Sequence, residues 1–257
     1  MKNIYIILIL ILSFTIFSCA KKEDETASTT CTSSDVSFLA VGASGTLLTS
    51  ADGTCWTAQT SGTTNNLRAF AIKPSTIGVV VGYSGTILTT TDGTTWTSRT
   101  SGTSNDLNNV HYNSAGFVAV GASGTLLTSP DAITWTSRTS GTSNNLRSFA
   151  FDGSSTGVVV GYSGTILTST DGITWTSRTS GTSKNINNVA YGNSKFIAVG
   201  DNGTTLYSSD GITWTDWTSS CGANDNESLW DVAYGSSTWV AVGDNGSIYT
   251  SDESSCT

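Results

Sequence analysis

The sequence predicts an all-β fold made from six copies of one four-stranded unit, and three observations carry that prediction. A tryptophan recurs at Trp56, Trp96, Trp135, Trp175 and Trp214, in steps of 40, 39, 40 and 39 residues. A Val-Gly pair closes a β-branched run at Gly42, Gly82, Gly121, Gly161, Gly200 and Gly243. Between these marks stand Ser-Gly, Asn-Gly and Asp-Gly dipeptides, where glycine supplies the positive φ that tight connections need. No 3.6-residue apolar period runs through the repeats, and only two prolines occur, Pro74 and Pro130. Four strands in about forty residues, repeated six times, fit a β-propeller, whose blades are small antiparallel sheets around a channel. A β-solenoid uses shorter repeats, and a sandwich needs no such regularity.

The elements follow in chain order. Met1-Lys2-Asn3 is a short basic start, and Ile4–Phe17 is a nearly unbroken apolar run of signal-peptide length. It stops at Ile16-Phe17-Ser18-Cys19, which resembles a bacterial lipoprotein signal with Cys19 as the lipidated residue. Phe17 is bulkier than that pattern usually holds, and cleavage of an ordinary secretory signal near Ala20 is the alternative. Residues 1–18 are thus read as signal, 19–30 as a charged and Ser/Thr-rich tether, and 31–257 as the propeller.

In the second unit the strands fall at Leu67–Ile72, Ile77–Val81, Thr86–Thr90 and Thr94–Arg99. The sequence "VVVGYSGTILT" occurs in the second and fourth units, whereas "NNV" marks the third and fifth. The chain therefore reads as duplications of a two-unit block of 79 residues. The first unit has a weak inner strand at Ser28–Ser33, and the sixth stops where its outer strand should begin. Either the tether supplies that strand or the last blade has three.

Beyond the signal, 10 basic residues face 19 acidic ones, and only 12% of the whole chain is charged. An acidic surface built from Ser, Thr, Asn and Gly argues against nucleic acid and against anionic lipid as a docking partner. Membrane contact is expected through the N-terminal lipid alone. If Cys19 is lipidated, Cys31, Cys55, Cys221 and Cys256 remain, an even number suited to two disulfides in an exported protein. Three connectivities are open, and no cysteine spacing resembles a zinc site.

The phrase Thr-x-Asp-Gly-x-Thr-Trp at Thr90–Trp96 resembles the Asp-box, or BNR repeat. That repeat occurs in sialidase-like, sortilin-type and Ycf48-like (photosystem II assembly factor) propellers. The run "VGYSGTILTTTDGTTW" at Val81–Trp96 looks most like the Ycf48-like group, and the likeness extends over nearly all of residues 36–252. The box here is one residue shorter than usual between Asp and Thr-Trp. The residues themselves give these phrases a structural reading. Asp52, Asp92, Asp131, Asp171 and Asp210 stand where a carboxylate accepts hydrogen bonds from its own turn. The paired Trp56, Trp96, Trp135, Trp175 and Trp214 can pack between blades. Burying one such ring removes about 150–250 Å² from water, on the order of 4–6 kcal/mol as an upper bound. One carboxylate per blade, about forty residues apart, cannot converge on a catalytic or metal centre.

In the usual winding, the turns between second and third strands and the links between blades share the face on which propellers bind ligands. Here that face carries Tyr83, Tyr162, Asp201-Asn202 and Asp244-Asn245, with Arg68 and Arg147 on inner strands. The links carry Asn65-Asn66, Asn105-Asp106, Asn144-Asn145, Lys184-Asn185 and Asn224–Glu227. Tyr83, Tyr162, Arg68, Arg147, Asn202 and Asn245 are the candidate ligand contacts, against the plainer reading that Asn and Asp simply make good turns.

Sialidase chemistry, which the Asp-box resemblance raises, needs a cluster of three arginines, a Tyr–Glu pair and an acid. Arg99, Arg138 and Arg178 instead fall in outer strands, and outside the tether only Glu227 and Glu253 are available. No carboxylate pair is nominated for glycoside hydrolysis. His111, the only histidine, takes the place of Ala71, Ala150, Ala190 and Ala233 and reads as structural. Catalysis needs unlike groups at one point, whereas repeated blades present like groups around a ring. The expectation is an exported, lipid-anchored propeller without catalytic residues, metal or cofactor. Its partner would be an envelope or membrane protein, with a glycan-binding surface protein as the alternative and an atypical glycosidase third.

Overall fold

The computed structural model describes residues 36–74, 76–218 and 227–251. Outside them lie the signal, Cys19, the tether, the expected strand Ser28–Ser33, Cys31, Cys221, Cys256, Glu253 and most of the link at Asn224–Glu227.

Six antiparallel sheets follow one another along the chain. The first holds β1 (Phe38–Val41), β2 (Leu47–Ser50) and β3 (Trp56–Ala58). The second holds β4 (Leu67–Lys73), β5 (Ile77–Gly82), β6 (Ile87–Thr90) and β7 (Thr97–Arg99). The third holds β8 (Leu107–Asn113), β9 (Gly116–Gly121), β10 (Leu126–Ser129) and β11 (Thr136–Ser137). The fourth holds β12 (Leu146–Phe151), β13 (Gly157–Gly161), β14 (Ile166–Ser169) and β15 (Thr176–Arg178). The fifth holds β16 (Ile186–Gly192), β17 (Lys195–Gly200), β18 (Thr205–Ser208) and β19 (Thr215–Asp216). The sixth holds β20 (Leu229–Gly235), β21 (Thr238–Gly243) and β22 (Ile248–Ser251). Every sheet is a simple meander, and the inner strands β4, β8, β12, β16 and β20 pack each against the next. This is the expected propeller, with six sheets for six blades.

The core lies between blades, because alternate residues of each short strand point to opposite neighbours. Val79, Val81 and Ile87 of the second sheet meet Leu107, Val110 and Phe117 of the third. Val158, Val160 and Ile166 of the fourth meet Ile186, Val189 and Phe196 of the fifth. The tryptophans sit in the same seams, Trp135 against Phe117 and Trp175 against Phe149.

Two strand starts differ from expectation, each for a hydrogen-bonding reason, and two strand ends, at Lys73 and Gly82, run one residue longer. The outer strand of the second blade begins at Thr97, not Thr94, because Asp92 Oδ1 takes the N–H groups of Thr94 and Thr95. The third strand begins at Ile87 because the Thr86 N–H closes a turn on the Tyr83 carbonyl at 3.1 Å. That Ser-Gly connection is a single 3₁₀ turn with Ser84 in the left-handed region, φ 53°. Gly85 follows at φ +68°, and a Cβ there would lie 2.0 Å from the Thr103 carbonyl oxygen of the next link. Only glycine fits a turn pressed that closely onto its neighbour.

Candidate functional site

Each inner strand opens with a buried aliphatic residue, Leu67, Leu107, Leu146, Ile186 or Leu229, and then its register slips by one. The residue left unpaired is Arg68, Asn108, Arg147, Asn187 or Trp230 in turn. A β-bulge of this kind turns a side chain out of the ladder, and bulges gather beside functional sites. Five blades thus place one bulged residue each at the same end of the inner strand, beside the turn that follows the second strand.

The two bulged arginines behave alike. Arg68 is exposed, donates from Nη2 to the Tyr83 hydroxyl, and holds its guanidinium 4.8 Å from the Tyr83 ring centroid. Arg147 donates from Nη1 to the Tyr162 hydroxyl at 2.7 Å, with its guanidinium 5.2 Å from that ring. Arg147 also lies 5.8 Å from the ring of Trp230, two blades away. Trp230 in turn donates its Nε1–H to Asp244 Oδ1 at 2.6 Å. The structure therefore brings Arg147, Tyr162, Trp230 and Asp244 into one group and leaves Arg68–Tyr83 as a second, more open pair.

The bulged asparagines do something else. Asn108 Nδ2 donates to the Leu146 carbonyl of the next blade at 2.8 Å. Asn187 Nδ2 reaches Leu229 O and Asp201 Oδ1, both at 2.9 Å. These amides clamp neighbouring inner strands together. Much of the Asn-rich rim serves the same end. Asn66, Asp106, Asn145 and Asn185 accept, through side-chain oxygens, the N–H of Ser44, Ser84, Ser123 and Ser163 in the preceding blade's turn. Asn202 and Asn245 are exposed and occupy the left-handed turn position at φ 54° and 55°, where the other blades use Ser. Asparagine tolerates that conformation better than most residues.

On the opposite face each Asp-box carboxylate is consumed by its own turn. Asp171 Oδ1 accepts from Ile173 N at 2.8 Å, Thr174 N at 2.7 Å and the Ser169 hydroxyl at 3.0 Å. Asp52, Asp92, Asp131 and Asp210 make the same set. Backbone N–H donors stabilise the ionised form first of all and lower the pKa of all five, most strongly for Asp52, Asp92 and Asp171. Trp56, Trp135, Trp175 and Trp214 donate Nε1–H back to the turn at Gly53, Ala132, Gly172 and Gly211. Trp96 Nε1 is buried and has no such partner.

Arg99, Arg138 and Arg178 donate Nε–H to Thr89, Thr128 and Thr168 across the outer strand pairs, away from Arg68 and Arg147. His111 stacks 5.1 Å from Phe149 in the seam between the third and fourth blades, and burial there pushes its pKa down. Cys55 is disulfide-bonded.

Trp230, Asn108 and Asn187 are members of the bulge ring that motif reading missed. One signal marks them. The position after the first buried aliphatic changes from Arg to Asn to Trp among repeats that otherwise copy each other.

No family model matches this chain, and no curated protein matches it. Solved structures do. A structure of YCF48 bound to D1 peptide superposes with a TM-score of 0.66 at 17% identity, over 83% of this chain and 73% of that one. YCF48 from Cyanidioschyzon merolae gives 0.63 at 19% identity, over 82% of this chain and 77% of that one. A streptogramin B lyase gives 0.64 at 10% identity, over 84% and 76%. At these identities the likeness establishes the propeller fold, which peptide-bound and enzymatic proteins share.

Proposed function

We propose that this chain is an exported, lipid-anchored, non-catalytic scaffold that holds a segment of an envelope or membrane protein on its bulge face. The bulge ring carries the reading. Five blades repeat the same framework yet present Arg68, Asn108, Arg147, Asn187 and Trp230 at one structural position. Two of these are arginines over tyrosine rings, and arginine, tyrosine and tryptophan are the residue types enriched at the centres of protein–protein interfaces. A YCF48 propeller of like fold carries a peptide in its solved structure, which supports a polypeptide as the occupant class. Anchoring at Cys19 would hold the chain at a membrane, and the acidic surface would keep the rest of it off anionic headgroups.

Affinity capture of the tagged lipoprotein from its own cells tests this. One stoichiometric envelope protein, lost on Arg68→Ala/Arg147→Ala, is the expected result. No reproducible protein partner would overturn it. Cys19→Ser should release the chain from the membrane fraction, and retention there would remove the lipid anchor from the reading.

A glycan is the second reading, favoured by the half-buried indole of Trp230 beside the Arg147 guanidinium, a surface on which a sugar ring can stack. Binding on a glycan array that Trp230→Ala abolishes would select it. Hydrolysis of a fluorogenic sialoside by the purified protein would restore the glycosidase reading.

A further inference from the structure

Outside the sixth sheet, three large aliphatic side chains stand exposed among the described residues: Ile133, Ile173 and Ile212, at 50, 53 and 48%. They hold one position, the second residue after the box aspartate, in the third, fourth and fifth blades. Each donates its backbone N–H to that aspartate at 2.8 Å. The turn asks nothing of the side chain, because Thr54 and Thr94 make the same bond at the same position in the first two blades. A single exposed isoleucine needs no explanation, but three at equivalent positions along one arc of one face do.

The described chain enters the propeller from this same face. Phe38, which opens β1, pairs with Ser50, and the Ser50 hydroxyl bonds Asp52 in the first Asp-box turn. Val36 lies against the second box, where a Cβ on Gly93 would sit 2.7 Å from Val36 Cγ2. Sixteen residues, 20–35, separate Cys19 from Val36, and a chain of that length spans at most about 55 Å. The second strands β5 and β9, six residues each, run from the Asp-box face to the bulge face. The bulge face therefore lies about 20 Å beyond the face from which β1 starts.

We propose that the Asp-box face is the lipid-facing side of the anchored chain, with Ile133, Ile173 and Ile212 dipping into the interfacial layer of a zwitterionic bilayer. This rests on the lipid anchor of the proposed function. Exposed apolar side chains on a polar surface settle at the boundary of headgroups and acyl chains. An anchor makes each such contact intramolecular, so contacts too weak to hold a free chain add together. Charge selects the headgroup. The face carries five box carboxylates against Lys73 and Lys195 at the hairpin ends of β4 and β17, so anionic lipid repels it. The bulge face then points away from the membrane, and the partner segment it holds stands about 20 Å clear of the bilayer.

The test holds the mature chain on phosphatidylcholine vesicles through an N-terminal hexahistidine and nickel-chelating lipid, so the result does not depend on lipidation of Cys19. A fluorophore is attached at Thr170→Cys, exposed in the fourth box, or at Ser163→Cys, exposed on the bulge face, and is scored above labelling of the parent chain. Quenching by a lipid with a nitroxide headgroup is read at each site. The proposal predicts quenching at least about twofold stronger at position 170 than at 163, and weaker when phosphatidylglycerol is added. Ile133→Thr/Ile173→Thr/Ile212→Thr, which copies the first two blades, should bring position 170 down to the level of 163. Equal quenching at the two sites, stronger quenching at 163, or quenching at 170 that the threonine variant leaves unchanged would overturn the proposal. So would shielding of position 170 that appears only with the captured envelope protein, or only as the density of chains on the vesicle rises, which would make that protein or a second copy the occupant. Failure of the anchor itself is read separately, by fractionation of Cys19→Ser.

Discussion

The two faces of the propeller use the same kinds of residue to opposite ends. On the Asp-box face, Asp52, Asp92, Asp131, Asp171 and Asp210 spend their oxygens on their own turns, and five blades repeat one hydrogen-bond pattern. On the bulge face the backbone also repeats, with the same register slip in five blades, but the residue at the slip runs Arg, Asn, Arg, Asn and Trp, the two asparagines clamping the next inner strand and the other three left toward the face. A polar group whose bonds are satisfied within its turn holds structure. A bulged side chain that bonds no neighbouring strand, as with Arg68, Arg147 and Trp230, is available for recognition. Charge and abundance would point to the aspartates, whereas geometry points to Arg68, Arg147 and Trp230.

That contrast can be broken from the structural side first. Trp214→Ala should have the largest effect on stability. It empties a ring packed against Phe196 and removes the bond to Gly211, for a cost of about 3–5 kcal/mol. Chemical denaturation measures this, and partner affinity per folded molecule should not change. An unchanged midpoint would show that the tryptophans do not fasten the seams.

Acid should act on the Asp-box face next. Its carboxylates have lowered pKa values when folded, so their contribution is fully present above the ordinary carboxylate range and is lost as pH falls below that range through the lowered folded values. Burial likewise lowers the pKa of His111, so stability should already decline as pH drops below about 6.5. Thermal melts across pH separate the two phases. His111→Ala, the residue four other blades use, should remove the upper phase and leave the lower one. A melt temperature independent of pH down to about pH 3 would contradict both assignments.

A finer test compares two tryptophans. Trp214 Nε1 has an acceptor at 3.0 Å, whereas Trp96 Nε1 is buried without one. Trp96→Phe should therefore cost less than Trp214→Phe, by about 1 kcal/mol. Equal costs would mean that ring packing alone sets the penalty. The smallest stability effect should come from the recognition side: Arg68→Ala should stay within about 0.5 kcal/mol of the parent, because Arg68 is exposed and meets only Tyr83.

The repeat made the fold legible. The Val-Gly endings mark the ends of β5, β9, β13, β17 and β21, and their six copies set the blade count that the six sheets match, with the tryptophan spacing giving the repeat length. The sequence also named both Arg–Tyr pairs, though not that each arginine would touch its tyrosine. The bulge was not legible, because a one-residue slip between strands leaves no mark on hydrophobic alternation over so short a strand. Trp230 drew no reading from the sequence, because Arg147, which lies against its ring, is two blades away. Asn108 and Asn187 entered only as part of the repeated "NNV", because their acceptors, Leu146 O and Leu229 O, lie about forty residues along the chain. Outer strands were drawn too long because backbone N–H groups that a ladder could use go to Asp92 and its counterparts instead.

The central claim is that the bulge face, not the Asp-box face, holds the partner. The most direct test measures the affinity of the captured envelope protein for three purified chains: the parent, Arg68→Ala/Arg147→Ala, and Asp171→Asn. The account predicts at least a tenfold weaker affinity for the double arginine variant and parental affinity for Asp171→Asn. Parental binding by the arginine variant, with loss in Asp171→Asn at a temperature where that chain is fully folded, would place recognition on the other face and contradict it.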